Sequence, residues 1–268
     1  MEYQKNRRPR EERAVRQPAP EQEEPENQLE GRNAVQEALK SGRRIDKLFV
    51  ADGSTDRSLV RIAAQAKETG AVILRVDRRK LDQMSFTHSH QGVIAITAAH
   101  EYCTLEDILA FAEKKQENPL IVICDELADP HNLGAILRTA ECAGAHGVVI
   151  PKRRSVGLTA TVAKSSAGAI EYMPVARVNN ISASIRELQQ HGVWIFGTAA
   201  DGAVPLYQAD LRGPAAIVIG NEGDGMSRLV AETCDFKVSI PMKGHISSLN
   251  ASAAASILLY EAVRQRAD

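Results

Sequence analysis

Polar residues that could orient or activate a substrate gather in three short segments of the C-terminal half. The first segment, D-P-H-N-L-G-A-I-L-R-T-A at residues 129–140, contains Asn132 and Arg138. Asn132 is a natural helix N-cap, and capping alone would explain it. Arg138 is a permanent cation between apolar neighbours, and such a cation needs a carboxylate or phosphate partner. The segment therefore predicts a helix that carries an anion-binding arginine.

The second segment, I-V-I-G-N-E-G-D-G at residues 217–225, is a buried strand that runs into a glycine-rich turn. Glu222 and Asp224 lie inside the turn, where they would repel phosphates, and the segment supplies no lysine. A dinucleotide-binding turn and a P-loop are both disfavoured on these grounds. A turn that brings its backbone close to an uncharged adenine or ribose edge, while Glu222 pairs with Arg138, suits the residues better. A simple tight turn would also account for this segment alone.

The third segment, I-P-M-K-G-H-I-S-S-L-N-A-S-A-A at residues 240–254, passes from a strand through a polar loop into an alanine-rich helix. Ser248 and Asn250 stand just before that helix, and either side chain could cap it. The small residues behind them permit close packing of the helix. Each of the three segments thus has a purely structural explanation when it is taken singly.

The elements that must position these residues alternate between strand and helix from residue 119 onwards. Because such alternation is typical of a largely parallel sheet covered on both faces, we predict an α/β domain with its ligand site at the carboxyl ends of the strands. The predicted strands are 120–124, 147–150, 172–176, 193–198, 216–220 and 237–240, and the predicted helices are 133–143, 159–166, 181–191, 227–233 and 252–266.

The N-terminal part of the chain divides into three further stretches. Residues 1–29 combine prolines with a basic and then an acidic run, and we predict a disordered charged tail. Residues 30–98 predict a small α/β domain, with helices near 34–39, 58–69 and 79–84 and strands near 45–50, 71–76 and 92–97. The pattern at residues 99–118 predicts a linker that contains a short helix.

His88 and His90 form an H-x-H pair, but no further metal ligand lies nearby in the sequence, so an interpretation as loop histidines is favoured over a metal site.

Charge is distributed unevenly along the chain although the formal net charge is only -1. Residues 31–100 carry 12 basic and 7 acidic groups, a net charge of +5, whereas residues 1–30 and 101–268 have net charges of -2 and -4. A basic domain beside a mildly acidic one indicates contact with a polyanion such as RNA. A solvated basic face would explain the same numbers nearly as well.

Cysteine usage and hydropathy limit the class of protein further. The cysteines show no regular spacing, which argues against a zinc site or a disulfide framework and favours buried thiols. They are Cys103, Cys124, Cys142 and Cys234. No stretch approaches the ~18 continuous apolar residues of a membrane span, and charges stand where a signal peptide needs its apolar core. We therefore expect a cytoplasmic protein.

Taken in order, N-L-G-A-I-x-R-T-A, I-G-N-E-G-x-G and I-P-M-x-G-x-x-S-S-L-N resemble the motifs of the SpoU (TrmH-like) branch of SPOUT RNA methyltransferases across residues 119–268. Residues 30–98 resemble the substrate-binding domain of that branch, which is similar to ribosomal protein L30e. The whole arrangement is most similar to bacterial enzymes that methylate a guanosine 2'-hydroxyl in 23S ribosomal RNA. This resemblance implies a deep trefoil knot in the C-terminal domain, an exception to the usual absence of knots.

The resemblance also implies an activity and a set of site residues. The ribose 2'-oxygen would attack the methyl group of S-adenosylmethionine in line, without a metal, and Thr198, Gly220, Ile240 and Leu249 would contact that cofactor. Arg138 would polarise or deprotonate the hydroxyl, although a pKa above ~12 makes arginine an awkward base. Glu222 would fix the guanidinium, Asn132 would orient the ribose or the arginine, and Ser248 and Asn250 would complete the pocket wall.

Two alternatives share many of these residues. A transfer-RNA ribose methyltransferase would have the same C-terminal motifs, and a non-catalytic RNA-binding protein of ribosome assembly could use the same scaffold. The family also implies a homodimer that joins through the knot and the C-terminal helix. The apolar run at residues 253–259 permits such an interface, but a core helix would look the same.

Overall fold

The structure is a computed structural model that describes residues 25–54, 56–199, 203–221 and 223–267. Most of the predicted tail, residues 1–24, lies outside the described residues. The predicted site residue Glu222 also lies outside them, as do Thr55, residues 200–202 and Asp268.

The N-terminal domain is a four-stranded mixed sheet flanked by three helices. In chain order its elements are β1 (Gln28–Glu30), α1 (Arg32–Lys40), β2 (Ile45–Ala51), α2 (Arg57–Glu68), β3 (Val72–Val76), α3 (Arg78–Met84) and β4 (Val93–Thr97). The strand order is β1-β4-β2-β3, in which β2 and β3 are parallel and β4 is antiparallel to both of its neighbours. Strand β1 corrects the prediction that residues 1–29 are all tail. Three residues are too few to show an alternating pattern, and only pairing with β4 makes them a strand.

Helix α4 (Leu105–Lys115) lies within the predicted linker but belongs to the C-terminal domain. Its first turn is fixed by a capping box, in which Thr104 and Asp107 each bond the backbone N–H of the other. Leu105, Ile108 and Ala112 are buried, and the first two pack in a core with residues of the large sheet. Residues 99–118 are therefore not a free linker, because their helix covers part of that sheet.

The C-terminal domain is built on a seven-stranded sheet in which every strand pairing is parallel, as predicted. Its strands are β5 (Leu120–Cys124), β6 (Gly147–Pro151), β7 (Val175–Val178), β8 (Trp194–Thr198), β9 (Val204–Pro205), β10 (Ala215–Ile219) and β11 (Phe236–Ser239). The order β7-β6-β5-β10-β8-β11-β9 places β10 between β5 and β8. The predicted α/β class is confirmed, and the short edge strand β9 is an addition to the predicted elements.

Helices cover both faces of this sheet, as the near-continuous apolar strands require. They are α5 (Pro130–Cys142), α6 (Ala160–Ser165), α7 (Ile181–Gln190), α8 (Arg228–Thr233) and α9 (Ala251–Arg266). Leu120, Val122 and Cys124 of β5 share one core with α5, α6 and α9, while Ile121 and Ile123 share the other with α4, α7 and α8. The period-2 alternation of β5 therefore assigns α5 and α9 to the same face.

Gly134 allows α5 to approach α6 closely. A Cβ atom at this position would lie 2.5 Å from the Cβ atom of Ser165 and 3.0 Å from the backbone of Ser165 and Ser166. No larger residue fits without separating the two helices. The glycine of the first polar segment is thus explained by helix packing.

Polar contacts and a shared hydrophobic core join the two domains. The carboxylate of Glu171 is 3% exposed and lies 2.8 Å from a guanidinium nitrogen of Arg43 in the N-terminal domain. His100 lies 3.5 Å from the same carboxylate. Burial alone would raise the pKa of Glu171, but His100 and Arg43 outweigh it and hold that pKa below its usual value. The pair therefore fixes one domain to the other as a charged pair at neutral pH.

The histidines and cysteines have structural roles that partly follow the predictions. His90 is buried, lies 2.9 Å from Asp82 and accepts a bond from the backbone N–H of Gly92, so it stabilises its loop. Burial raises the pKa of the Cys124 thiol to about 12. Cys103 and Cys234 are half-buried, but Cys142 is exposed, so the prediction of buried thiols was wrong there. Cys142 is the last residue of α5, and its side chain is exposed.

Neither a candidate metal site nor a candidate membrane-spanning helix occurs in residues 25–54, 56–199, 203–221 and 223–267. Within these ranges, no three His, Cys, Asp or Glu side chains come together in an arrangement suited to a metal ion. Among the described helices, none has the length and apolar character that crossing a bilayer requires.

Replacing Glu171 by glutamine tests the contact between domains. Glu171→Gln leaves the guanidinium of Arg43 buried without its counter-charge, and we expect the free energy of unfolding to fall by about 3 kcal/mol at pH 7 in urea titrations. Because the pKa of Glu171 is lowered in the folded state, its contribution is present above the unfolded pKa near 4.5 and is lost as the pH falls through the folded pKa. The difference between the two proteins should therefore shrink in acid.

The matched control is Glu126→Gln, which removes the carboxylate from the exposed pair with Arg154. We expect a loss of at most ~0.5 kcal/mol there, because surface pairs contribute little. Equal losses from the two substitutions would contradict the structural role of Glu171.

Candidate functional site

A cavity of 760 Å³ opens at the carboxyl ends of β8, β10 and β11. Parallel strands present their free ends at one edge of the sheet, which is where a ligand site was predicted. The structure brings to this cavity all four residues expected to bind the cofactor, namely Thr198, Gly220, Ile240 and Leu249. Ser248, expected in the pocket wall, also lines it.

The glycine-rich turn after β10 forms one wall of the cavity. Asn221 and Gly225 pair across the turn through two backbone hydrogen bonds, of 3.0 and 3.1 Å. A Cβ atom at Gly220 would lie 2.2 Å from the carbonyl carbon of Gly225 and 2.3 Å from the nitrogen of Met226. Gly220 is therefore required because the returning backbone occupies the space of a side chain.

Asn221 stabilises this turn in a way that the site prediction did not include. Its side-chain oxygen accepts hydrogen bonds from the backbone N–H groups of Gly223, at 2.9 Å, and Asp224, at 2.7 Å. Such bonding is the usual contribution of an asparagine at the start of a turn. The N-x-G spacing was the signal that could have identified it.

Asp125 is a second residue that the sequence analysis missed. It follows β5 directly, is only 3% exposed and accepts a 2.7 Å hydrogen bond from the backbone N–H of Ser227. The bond fixes the chain just beyond the glycine turn against the neighbouring strand end. An acidic residue directly after the apolar strand L-I-V-I-C was the signal for it, since a buried carboxylate needs a donor.

The first and third polar segments meet through a pair of asparagines. Asn250 caps α9 by accepting bonds from the backbone N–H groups of Ser252 and Ala253, and its amide nitrogen donates to the side-chain oxygen of Asn132 at 2.9 Å. Asn132 is 4% exposed, in the first turn of α5. The structure thus joins two predicted site residues that are 118 positions apart in the chain.

Arg138 lies apart from this pair. It follows Asn132 by six residues, about 9 Å further along α5, and its side chain is exposed. Among the described residues, Arg138 forms no ion pair or hydrogen bond. It is also not among the residues that line the 760 Å³ cavity. Because Glu222 lies outside the described residues, the expected Arg138–Glu222 pair stays a prediction. An exposed guanidinium is nonetheless available to an anionic ligand.

Comparisons with known proteins find a matching family for each of the two domains. The SpoU rRNA Methylase family matches residues 119–260, and the family described as RNA 2'-O ribose methyltransferase substrate binding matches residues 28–103. YacO of Bacillus subtilis (strain 168), described as a TrmH family tRNA/rRNA methyltransferase, is 51% identical over 88% of this chain and 94% of its own length.

Solved structures show the same fold. An AdoMet-bound rRNA methyltransferase from Sinorhizobium meliloti is 28% identical, covers 88% of this chain and 86% of its own, and has a TM-score of 0.74. A TrmH/SpoU tRNA modifying enzyme from A. aeolicus is 29% identical with a TM-score of 0.52, but covers only 60% of this chain and 83% of its own.

The cavity suits S-adenosylmethionine (AdoMet). Its volume of 760 Å³ falls within the usual ~300 to 1,000 Å³ of small-molecule sites. Its lining combines small and apolar residues, such as Gly220, Ile240 and Leu249, with polar ones. Asp224 brings a carboxylate to the wall, which suits a ligand with a positively charged sulfur.

Two glycines of one turn give a matched test of this site. Gly220→Ala forces the turn apart, and we expect the affinity for S-adenosylmethionine to fall more than about 10-fold, or about 1.4 kcal/mol, in isothermal titration. Gly223 also lines the cavity, but Gly223→Ala should weaken binding much less, because the nearest atom to its added Cβ is 3.6 Å away and the turn keeps its shape. If both variants bound the cofactor like the unaltered protein, the close approach at Gly220 would not be what shapes the cavity.

Proposed function

This chain belongs to the SpoU family of RNA 2'-O-ribose methyltransferases, and on that premise we propose that its substrate is 23S ribosomal RNA and that the modified nucleotide is a guanosine. The main support for this proposal comes from the N-terminal domain. It matches the family's substrate-binding model at residues 28–103, and residues 31–100 have a net charge of +5. A basic domain beside the reaction site is suited to a large folded polyanion.

The extent of the structural matches supports ribosomal RNA over transfer RNA. The Sinorhizobium meliloti rRNA methyltransferase aligns with 88% of this chain and therefore with parts of both domains. The tRNA modifying enzyme from A. aeolicus aligns with only 60%. The part of this chain that such a tRNA enzyme does not share is large enough to be the N-terminal domain.

Different residues of the C-terminal domain have different roles in the proposed reaction. When bound, S-adenosylmethionine supplies a methyl group that its positively charged sulfur has already activated. Gly220, Ile240 and Leu249, which line the cavity at the strand ends, would hold that cofactor. Asn132 and Asn250, fixed by their mutual hydrogen bond, orient the incoming ribose, and Ser248 closes the wall beside it. Such positioning can supply much of the rate acceleration, ~7 to 11 kcal/mol in favourable cases.

Arg138 acts on the RNA as a cation. A guanidinium keeps its proton at neutral pH, so charge stabilisation of the 2'-oxygen and contact with the adjacent phosphate suit it better than proton abstraction. Its exposure, with no partner among the described residues, leaves it available for that contact. Glu222 would orient the guanidinium by a bidentate pair.

We also propose that the protein is a cytoplasmic homodimer with a knotted C-terminal domain. Tyr260 on α9 and Ile246 in the preceding loop are 51% and 73% exposed, although both are large and apolar. A second copy that covers them would remove this apolar area from water. The apolar run at residues 253–259 contributes less than the sequence suggested, because Ala255, Leu258 and Leu259 are buried in the core of their own chain.

Methyl transfer to defined RNAs tests the proposed substrate. With labelled S-adenosylmethionine, we expect incorporation into 23S ribosomal RNA, offered free and as large-subunit particles, and nuclease digestion should release a 2'-O-methylguanosine. Incorporation into transfer RNA alone would favour the alternative enzyme. Cofactor binding without transfer to any of these RNAs would instead favour a non-catalytic assembly protein.

Arginine substitutions on two helices that cover opposite faces of the sheet test the role of Arg138. We expect Arg138→Ala to lower kcat at least ~100-fold, the scale of a lost group that stabilises developing charge, while the affinity for S-adenosylmethionine stays unchanged. Arg186→Ala is the control, because Arg186 is also exposed but lies on α7, across the sheet. Near-normal turnover of Arg138→Ala on RNA that the unaltered protein methylates would refute the assignment.

A further inference from the structure

The N-terminal domain contains a cavity of its own, of 560 Å³. It opens between the loops that precede α1, α2, α3 and β4, and Arg32, Asp52, Arg78 and Gln91 are among its lining residues. None of the four belongs to the cofactor site. The cavity therefore needs an explanation separate from methyl transfer.

The two arginines of this cavity are in different states. Arg32 is already engaged, since it lies 2.7 Å from a carboxylate oxygen of Asp56 and donates to the backbone oxygen of Gln91 at 3.2 Å. Arg78 is exposed, and within the part of the chain that the structure describes it has no hydrogen bond or ion pair. The guanidinium of Arg32 is thus bonded within the cavity wall, and the guanidinium of Arg78 is available to bind an anion.

The carboxylate of Asp52 decides which part of a nucleotide could enter. It lines the cavity, and one of its oxygens accepts a 2.9 Å bond from the backbone N–H of Gly53. A phosphate inside the cavity would be repelled by this charge, whereas a base could donate its N–H groups to the other oxygen. An arrangement with the phosphate at Arg78 and the base at Asp52 gives each of these charged side chains a suitable partner.

The loop that forms the far wall is held in an unusual conformation. Gln91 has a positive φ of 53°, and its side-chain oxygen accepts the backbone N–H of Arg32 at 3.1 Å. Gly92 follows with a φ of 86°, and a Cβ atom there would lie 2.9 Å from a methyl group of Leu59. A left-handed non-glycine residue costs ~1 kcal/mol or more, so the loop is fixed by its surroundings. The cavity is therefore formed before any ligand binds.

Polar contacts lead from the loop that precedes β4, through α6, to helix α5. Thr87, in the same loop, accepts a 3.3 Å bond from the ammonium group of Lys164 on α6. The hydroxyl of the next residue, Ser165, lies 3.0 Å from a ring nitrogen of His131. His131 precedes Asn132, which bonds Asn250 beside the cofactor cavity. Three hydrogen bonds thus link polar side chains between the loop that precedes β4 and the edge of the cofactor cavity.

We propose that the cavity of the N-terminal domain takes one unpaired nucleotide of the RNA substrate, with its phosphate on Arg78 and its base edge against Asp52. The strand then follows the surface of Lys164 and His131 to the reacting ribose. Only an unpaired base can turn its edge into a cavity, as in most sequence-specific RNA recognition. This inference rests on the proposed function, because it assumes an RNA substrate.

Binding of two RNAs to the full chain tests the proposal. The probes are a single-stranded RNA of about 12 nucleotides with mixed sequence and a duplex RNA of the same length, each measured with S-adenosylmethionine present. We expect Arg78→Gln to weaken single-strand binding about 10-fold, the scale of one charge-assisted contact, and duplex binding less than about 2-fold. Lys67→Gln is the matched control, because Lys67 is exposed at the opposite end of α2. It should leave both affinities unchanged.

Asp52→Asn distinguishes a base from a phosphate inside the cavity. If a base donates to the carboxylate, the substitution weakens single-strand binding, and we expect a loss of about 5-fold. Stronger binding would place a phosphate there and overturn the proposal. Equal losses on single-stranded and duplex RNA in Arg78→Gln, or losses as large in Lys67→Gln, would also overturn it, because they would indicate only general attraction of charge.

The proposed function can fail separately from this inference. A protein that binds the single-stranded probe through Arg78 and Asp52 but transfers no methyl group to 23S ribosomal RNA would contradict the substrate and leave the nucleotide site standing. On RNA that is methylated, Arg78→Gln should raise KM and leave kcat unchanged. A fall in kcat with constant KM would contradict a role in binding.

Discussion

The hydrogen bond between the side chains of Asn250 and Asn132 is the contact on which the functional site depends. It joins the N-terminal ends of α9 and α5, which are 118 residues apart in sequence and lie on one face of a parallel sheet. Because Asn250 also caps α9, the same side chain sets where that helix begins and where Asn132 stands. The loop that contains Ser248 and Leu249 is thereby held against the cofactor cavity. The site exists only when the first and last parts of the domain are assembled.

Buried contacts join the two domains. Arg43 and Glu171 form a charged pair that is almost fully buried between them, and the N-terminal β1 contacts α6, which packs against α5. An RNA segment bound to the N-terminal domain, as we propose, would therefore lie at a defined position relative to Asn132. A flexible linker would not provide this, and the packing of α4 on the large sheet shows that the connection is part of the fold.

Much of the fold followed from local pattern, and the failures have non-local causes. Alternating strands and helices predicted the parallel sheet, and the glycine turn and the cap of α9 at Asn250 were recognisable from residue type. Asn132 was wrongly expected to cap α5: that helix begins earlier, at Pro130, because Asp129 caps it, and Asn132 lies in its first turn. The strand Gln28–Glu30 was missed because its three residues show no period, and its partner β4 lies more than sixty residues away. The bond from Ser227 to Asp125 and the bond between the two asparagines depend on strand order, which periodicity does not determine. Arg138 was expected to pair with Glu222, and that expectation still awaits a test.

We propose that the C-terminal domain methylates a ribose of 23S ribosomal RNA that the N-terminal domain helps to select. The most direct test of this proposal is a map of ribose 2'-O-methylation in total RNA from cells with and without this protein. In cells without this protein, we expect a guanosine of 23S ribosomal RNA to lose its methyl group and transfer RNA to be unchanged. Loss confined to transfer RNA, or an unchanged map, would contradict it.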